Sequence, residues 1–277
     1  MDIQKFADQI RYYTMKELAN LGFGHFGGSL SIVETLAVLY GKVLNVSPER
    51  KDDPDRDYFV LSKGHAGPAL YATLFLKGYF DEKILFSLNQ NGTNLPSHPD
   101  RIKTPGIDMT TGSLGQGISA ATGIAKGNQL LGKENFTYAI VGDGELNEGQ
   151  CWEAFQFAAH QKLDHLIVMI DDNKKQLDGY TTDICDPFDF VEKMQAFGFN
   201  SWRVNGADVK AIEAAIIQAK QTNGKPTAIV LDTVKGQGVS YFERLADNHH
   251  VRPDEAGKAA ISEAINTLAQ KIEVENQ

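Results

Sequence analysis

Asp143 and Asn173 are the residues whose type and spacing carry the most chemistry in this chain. Asp143 sits in Gly142-Asp143-Gly144, directly after the apolar run Thr137 to Val141. Asn173 closes Asp171-Asp172-Asn173, directly after the aliphatic run Leu166 to Ile170. A carboxylate and an amide at the carboxyl ends of two strands offer hard oxygen ligands to Mg²⁺, which completes its octahedron with phosphate and water. Glycines on both sides of Asp143 let the backbone come close to such a phosphate. Alone, the tripeptide reads more readily as a turn. The strand before it, the helix after it and the second strand ending in Asp-Asp-Asn make it a candidate metal and phosphate site.

Three histidines have a related context. His25 (Gly24-His25-Phe26-Gly27-Gly28), His65 (Ser62-Lys63-Gly64-His65) and His98 (Pro96-Ser97-His98-Pro99) lie in Gly-, Ser- or Pro-rich loops where helices begin. Gathered at one edge of a sheet, such loops would neutralise diphosphate charge and bond sugar hydroxyls. An ordinary histidine pKa near neutrality would also let them pass protons. His160 and His165 have no such setting and read as structural.

The elements that must position these groups alternate along the chain. Helical spacing of Ile3, Phe6, Ile10 and Tyr13 predicts a first helix, and a second is expected over 31–43. A strand at 58–61 precedes a helix at 69–76. Residues 88–111 hold Asn91-Gly92, Pro96, Pro99 and Pro105 and read as a long irregular segment, a form that is usually functional. Helices are expected at 115–131, 148–162, 209–221 and 255–271, with strands at 137–141, 166–170, 202–204 and 227–231. Aliphatic strands alternating with helices predict a mostly parallel central sheet, three-layered, with helices on both faces. Such sheets bind ligands beyond the carboxyl ends of their strands, where 142–144 and 171–173 fall.

Composition bounds the rest. The chain has 277 residues, 27 Lys+Arg against 36 Asp+Glu and a net charge of −9. That balance argues against nucleic acid or an anionic membrane as partner, and an anionic ligand must be held by local devices. The two cysteines, Cys151 and Cys185, make no disulfide framework or CxxC pair. An acidic N-terminus without an apolar run is unlike a signal peptide. A cytoplasmic protein, one domain over 1–277, is expected.

Gly142-Asp143-Gly144 through Asn173 resembles the thiamine-diphosphate motif, and the order of further loops narrows the resemblance to transketolase. His25, His65 and His98 look like that family's three histidine loops. Thr110-Thr111-Gly112-Ser113-Leu114-Gly115-Gln116-Gly117 resembles the loop along the cofactor, and Glu145-Leu146-Asn147-Glu148-Gly149 and Lys235-Gly236-Gln237-Gly238 also fit. The resemblance runs from about residue 15 to 255 and implies a thiamine diphosphate-binding fold. It implies Mg²⁺ (with Ca²⁺ or Mn²⁺ as substitutes) on Asp143, Asn173 and the Lys175 carbonyl. His65, Gly112, Ser113, Leu114, Gly142, Asp143, Gly144, Glu145, Asn173, Leu177 and His249 would hold the cofactor. His25, His98 and His249 would bond the sugar and help remove the proton from the hydroxyl beside the breaking bond. Leu114, Leu177 and Ile124 read equally as core residues.

Two departures stand out. Phe26 replaces the family's usual Pro and is expected to reshape the donor pocket. Asn248-His249-His250 stands where split relatives have Trp-His-Gly, leaving two candidate histidines, of which spacing from Lys235 favours His249. Family members also need a Glu on the cofactor's aminopyrimidine ring, carried by a second domain. This chain therefore resembles the N-terminal subunit of a split enzyme. Its pyrimidine-binding and C-terminal domains are expected on a separate partner chain in an α2β2 heterotetramer, with Glu148 at the contact. The implied reaction moves a glycolaldehyde unit from a ketose to an aldose; phosphorylated, branched and sulfonated sugars stay open. Rival readings are half of a deoxyxylulose-phosphate synthase or 2-oxo acid dehydrogenase, or a non-catalytic cofactor-binding scaffold. The 2-oxo acid enzymes would not need the His25, His65 and His98 loops.

Overall fold

The aliphatic runs become strands because each is buried on both sides, where branched and aliphatic side chains pack without stranding polar groups. In the computed structural model, which describes residues 1–274, they are β1 (Tyr58–Leu61), β2 (Thr137–Gly142) and β3 (Leu166–Asp172). A small antiparallel hairpin follows, β4 (Lys175–Gln176) and β5 (Gly179–Tyr180), and then β6 (Asn200–Asn205) and β7 (Thr227–Asp232). Five of these form one wholly parallel sheet in the order β1-β2-β3-β7-β6.

Side chains alternate across a strand, and here they feed two separate apolar clusters. Tyr138, Ile140, Ile167, Met169, Ile229 and Leu231 face one side. There they meet residues of α1 (Ile3–Leu21), α2 (Phe26–Leu30), α3 (Val33–Val38), α4 (Gly67–Leu76) and other helices. Ala139, Val141, Leu166, Val168, Ile170, Ala228 and Val230 face the other. That side is covered by α6 (Gln116–Leu130), which follows the short α5 (Glu82–Leu85), and by α7 (Gly149–His160). The expected three layers are therefore present.

Most expected elements lie within a few residues of their predicted bounds. The helix expected over 31–43 is present from Val33, as α3 continued by a π-helical turn, Leu39–Val43. Ser31, between α2 and α3, donates its hydroxyl to Asp171 at 2.7 Å. Segment 88–111 is irregular, as expected. Later elements are α8 (Thr181–Ile184), α9 (Phe190–Ala196), α10 (Val209–Ala219), α11 (Ser240–Arg244) and α12 (Glu255–Val274). Residues 275–277, the end of the domain expected over 1–277, lie outside the described residues. Among the described residues no helix is long and apolar enough to cross a membrane.

Candidate functional site

All five strands end at the same edge, so the loops after β1, β2, β3 and β7 converge there. They enclose a cavity of about 360 Å³ lined by His25, Lys63, His65, His98, Asp143, Asn173, Lys175, Lys235 and His249, among others. Gly112, Leu114, Gly142, Gly144, Glu145 and Leu177 also line it. Ser113 is exposed and off the lining. Leu177 is 62% exposed at the lip, which overturns its reading as a core residue. Leu114 is half-buried at the wall.

Beneath the cavity floor lies a buried hub that sequence reasoning missed. The Asp171 carboxylate, fully buried at the end of β3, accepts from Lys63 Nζ, the Ser31 and Thr233 hydroxyls and Asn173 Nδ2. The Lys63 ammonium beside it holds Asp171 below the usual carboxylate range despite its burial. Asp171 takes the amide NH₂ of Asn173 at 2.8 Å, and the Asn173 oxygen, which accepts from the Lys175 backbone N–H at 3.2 Å, keeps a second lone pair for a ligand. Partners of this kind orient metal-binding groups.

Asp143 offers the second oxygen. Its two carboxylate oxygens accept from the backbone N–H of Gly144 at 2.8 Å and of Lys174 at 2.7 Å, which fixes the group across the β2 and β3 ends. Burial, and then the neighbouring Asp171, push its pKa up to about 7. A buried carboxylate so poorly compensated favours a cation. The Lys175 carbonyl already accepts from Lys235 Nζ at 3.1 Å, so this position attracts positive charge. Among the described residues no group of three or more His, Cys, Asp or Glu gathers as a metal cage. One carboxylate, one amide and one carbonyl instead suit Mg²⁺ sharing a diphosphate.

Glu145 plays a different part. Its carboxylate accepts from the Ser62 hydroxyl and from the backbone N–H of Gly115 and Gly142, tying the β1, β2 and α6 loops together. It thus positions the cavity wall. Two glycines answer to space: a Cβ on Gly28 would lie 2.9 Å from the His65 ring, and Gly112, at φ +144°, packs against His98.

The histidines form one cluster. His25 lies 5.5 Å from His65, 5.8 Å from His98 and 5.3 Å from His249, between ring centroids. His249 faces inward and its Nδ1 is 3.1 Å from Lys235 Nζ, whereas His250 is exposed and off the lining. With the ammonium donating to Nδ1, the neutral His249 ring carries its proton on Nε2. Burial comes first among the causes that lower these pKa values, with neighbouring cations next for His249. His25 falls to about 4 and His249 to about 3, and His65 and His98 are also lowered. The expectation of near-neutral values is thereby corrected: in this chain the cluster is neutral at pH 7. Burial also brings Lys235 down to about 8, so it is still mostly cationic at pH 7. Phe26 is fully buried and stacks on Phe242 with ring centroids 4.5 Å apart, so its side chain does not shape the cavity as expected. Exposed Glu148 begins α7 with no side-chain cap bond.

The transketolase thiamine diphosphate binding domain matches residues 3–270. The chain belongs to the transketolase family. It is 49% identical over 264 residues to the 6-deoxy-6-sulfo-D-fructose transketolase subunit SqwG of Clostridium sp. (strain MSTE9), covering 95% of this chain and 96% of that protein. It is 40% identical to an apulose-4-phosphate transketolase subunit of Actinobacillus succinogenes, covering 83% of each. The transketolase structure from Campylobacter jejuni superposes with TM-score 0.89 at 30% identity, over 96% of this chain and 42% of that one. The chain thus spans less than half of that solved transketolase, while its relatives of similar length are named as subunits.

In this transketolase domain the roles missed from sequence are those of Lys63, Asp171 and Lys235. The available signal for the two lysines was a Lys-Gly pair soon after β1 and again after β7. Lys63→Ala would leave Asp171 buried without its cation, and removing one partner of such a pair costs about 3–5 kcal/mol. A urea titration is expected to show that loss. The lowered histidine values also set a pH dependence. Below about 6.5 the unfolded chain binds protons that the folded cluster refuses, so the histidines' contribution to stability is lost as pH falls from about 6.5 toward 4, against an opposite contribution from Asp143. Urea midpoints across that window check this, and His25→Asn is expected to flatten the slope.

Proposed function

We propose that residues 1–277 form one domain, the diphosphate-binding N-terminal subunit of a thiamine diphosphate- and Mg²⁺-dependent transketolase. It would move a two-carbon glycolaldehyde unit from an anionic ketose to an aldose. The observation that carries this reading is the single cavity where His25, His98 and His249 face Asp143 and Asn173. A 2-oxo acid site has no need for that histidine wall. A partner chain would supply the pyrimidine-binding and C-terminal domains in an α2β2 heterotetramer, and the subunit names of similar-length relatives support it. The cytoplasm suits two unpaired cysteines.

Asp143, Asn173 and the Lys175 carbonyl would hold Mg²⁺, and Lys235, His65 and His249 would bond the diphosphate. Gly142, Gly144, Gly112 and Leu114 would shape its berth. Bound thiamine diphosphate would supply the electron sink that a ketose lacks at C2. His25 and His98 would bond the sugar hydroxyls, and a neutral imidazole of the cluster would accept the proton from the hydroxyl beside the bond that breaks. With its partner present, the enzyme is expected to transfer from a ketose phosphate and not to decarboxylate pyruvate. A preference for pyruvate would refute the reading.

A further inference from the structure

The left-handed backbone region is costly for a residue with a Cβ, so such a residue persists there only where its surroundings hold it. Among the described residues four other than glycine have positive φ, and Lys174, at +70°, is one of them. It lies between Asn173 and Lys175, whose oxygens are two of the three candidate metal ligands. Its N–H donates to the third, the Asp143 carboxylate, at 2.7 Å. Rotation about φ, the Lys174 N–Cα bond, swings the Lys175 carbonyl while that N–H stays on Asp143. The left turn at Lys174 therefore sets where the carbonyl lies relative to the Asn173 and Asp143 oxygens.

The Lys174 side chain reaches back to the sheet. Its ammonium lies 2.6 Å from Asp172 and 3.0 Å from Asp232. Those two aspartates are register partners at the last rung between β3 and β7, where like charges repel unless a cation stands between them. Arg203 on β6 also pairs with Asp172, so this carboxylate is a fixed anchor. After the turn, the Thr181 N–H donates to the Lys174 carbonyl at 3.0 Å. One residue is thus tied by its N–H, its carbonyl and its ammonium, and only the last tie depends on its side chain.

We propose that Lys174 is a positioning residue for the cofactor's Mg²⁺: its ammonium, anchored on Asp172 and Asp232, holds the left-handed turn that brings the three ligand oxygens together. The proposal rests on the thiamine diphosphate and Mg²⁺ reading of the cavity and adds to it a group outside the cavity lining.

The test is calorimetric titration of Mg²⁺ into the enzyme reconstituted with its partner chain, with thiamine diphosphate in excess. Lys174→Ala is expected to weaken Mg²⁺ binding about tenfold, the weight of one unsupported left-handed residue. Lys174→Gly loses the same anchor but adopts the turn without a Cβ, and is expected to recover most of that loss. Lys174→Arg keeps the anchor and is expected to bind as the unmodified enzyme does. Asp232→Asn, at an exposed position, is expected to weaken binding about threefold alone and to add nothing to Lys174→Ala. A general loss of structure would add in the double variant and would not spare Lys174→Gly. The proposal is overturned if Lys174→Ala binds Mg²⁺ as tightly as the unmodified enzyme, if Lys174→Gly falls as far as Lys174→Ala, or if the Asp232→Asn effect persists in the double variant. If the unmodified enzyme binds no Mg²⁺ with thiamine diphosphate, the reading of the cavity fails first and the positioning role with it.

Discussion

Asp143→Asn is expected to weaken binding of thiamine diphosphate with Mg²⁺ at least about a hundredfold, since even partners one step removed from a metal are worth 10–100-fold. Two-carbon transfer falls with it, while the two chains still assemble. Asp143 is the one carboxylate among the three candidate metal oxygens, and backbone N–H groups of Gly144 and Lys174 already hold it in place. The same substitution is expected to stabilise the free chain. Burial and Asp171 raise the Asp143 pKa to about 7. Between its unfolded value near 4 and about 7 the folded chain therefore keeps a proton the unfolded chain has released, and stability falls as pH rises through that window. Above about pH 7 the cost is complete, on the order of 2–4 kcal/mol. Asparagine never ionises, so at pH 8 the variant is expected to melt above the natural chain, and at pH 4 not to. Calorimetric titration of the cofactor and melting at two pH values check both halves. Gain of stability with loss of binding would mark Asp143 as a group strained for function.

The parallel sheet was legible because runs such as Leu166 to Ile170 can be little else but a doubly covered strand, and β2 and β3 indeed pair in register. The site's main residues were legible because each follows a strand or precedes a helix. What was not legible depends on partners far apart in the chain. Lys63 meets Asp171 across 108 residues of sequence, and nothing local in either segment announces the pair. The histidine pKa values depend on how deeply the loops bury one another, so single loops suggested ordinary values. The short elements β4, β5, α8 and α9 lack a periodicity long enough to register. Phe26 shows the opposite error: a departure in sequence drew notice to the pocket, yet its ring joins the core beside Phe242.

The other large effect concerns the partner. On the proposed reading, cofactor activation needs a free carboxylate against the aminopyrimidine, and among the described residues the cavity interior offers none. Asp143 is committed at the metal position and Glu145 accepts from Ser62, Gly115 and Gly142. Glu148 stands exposed at the rim. Without the partner's carboxylate, transfer is expected to drop about 10²–10⁴-fold, the worth of a general acid or base. The chain alone is still expected to keep its stability, since both apolar faces of the sheet are already covered.

Titrating the partner chain into this one, with thiamine diphosphate, Mg²⁺, a ketose phosphate and an aldose acceptor present, measures that dependence directly. Negligible transfer at zero partner is expected, then a linear rise and a plateau at one partner per chain. Transfer by this chain alone at the plateau rate would contradict a site completed by a second chain.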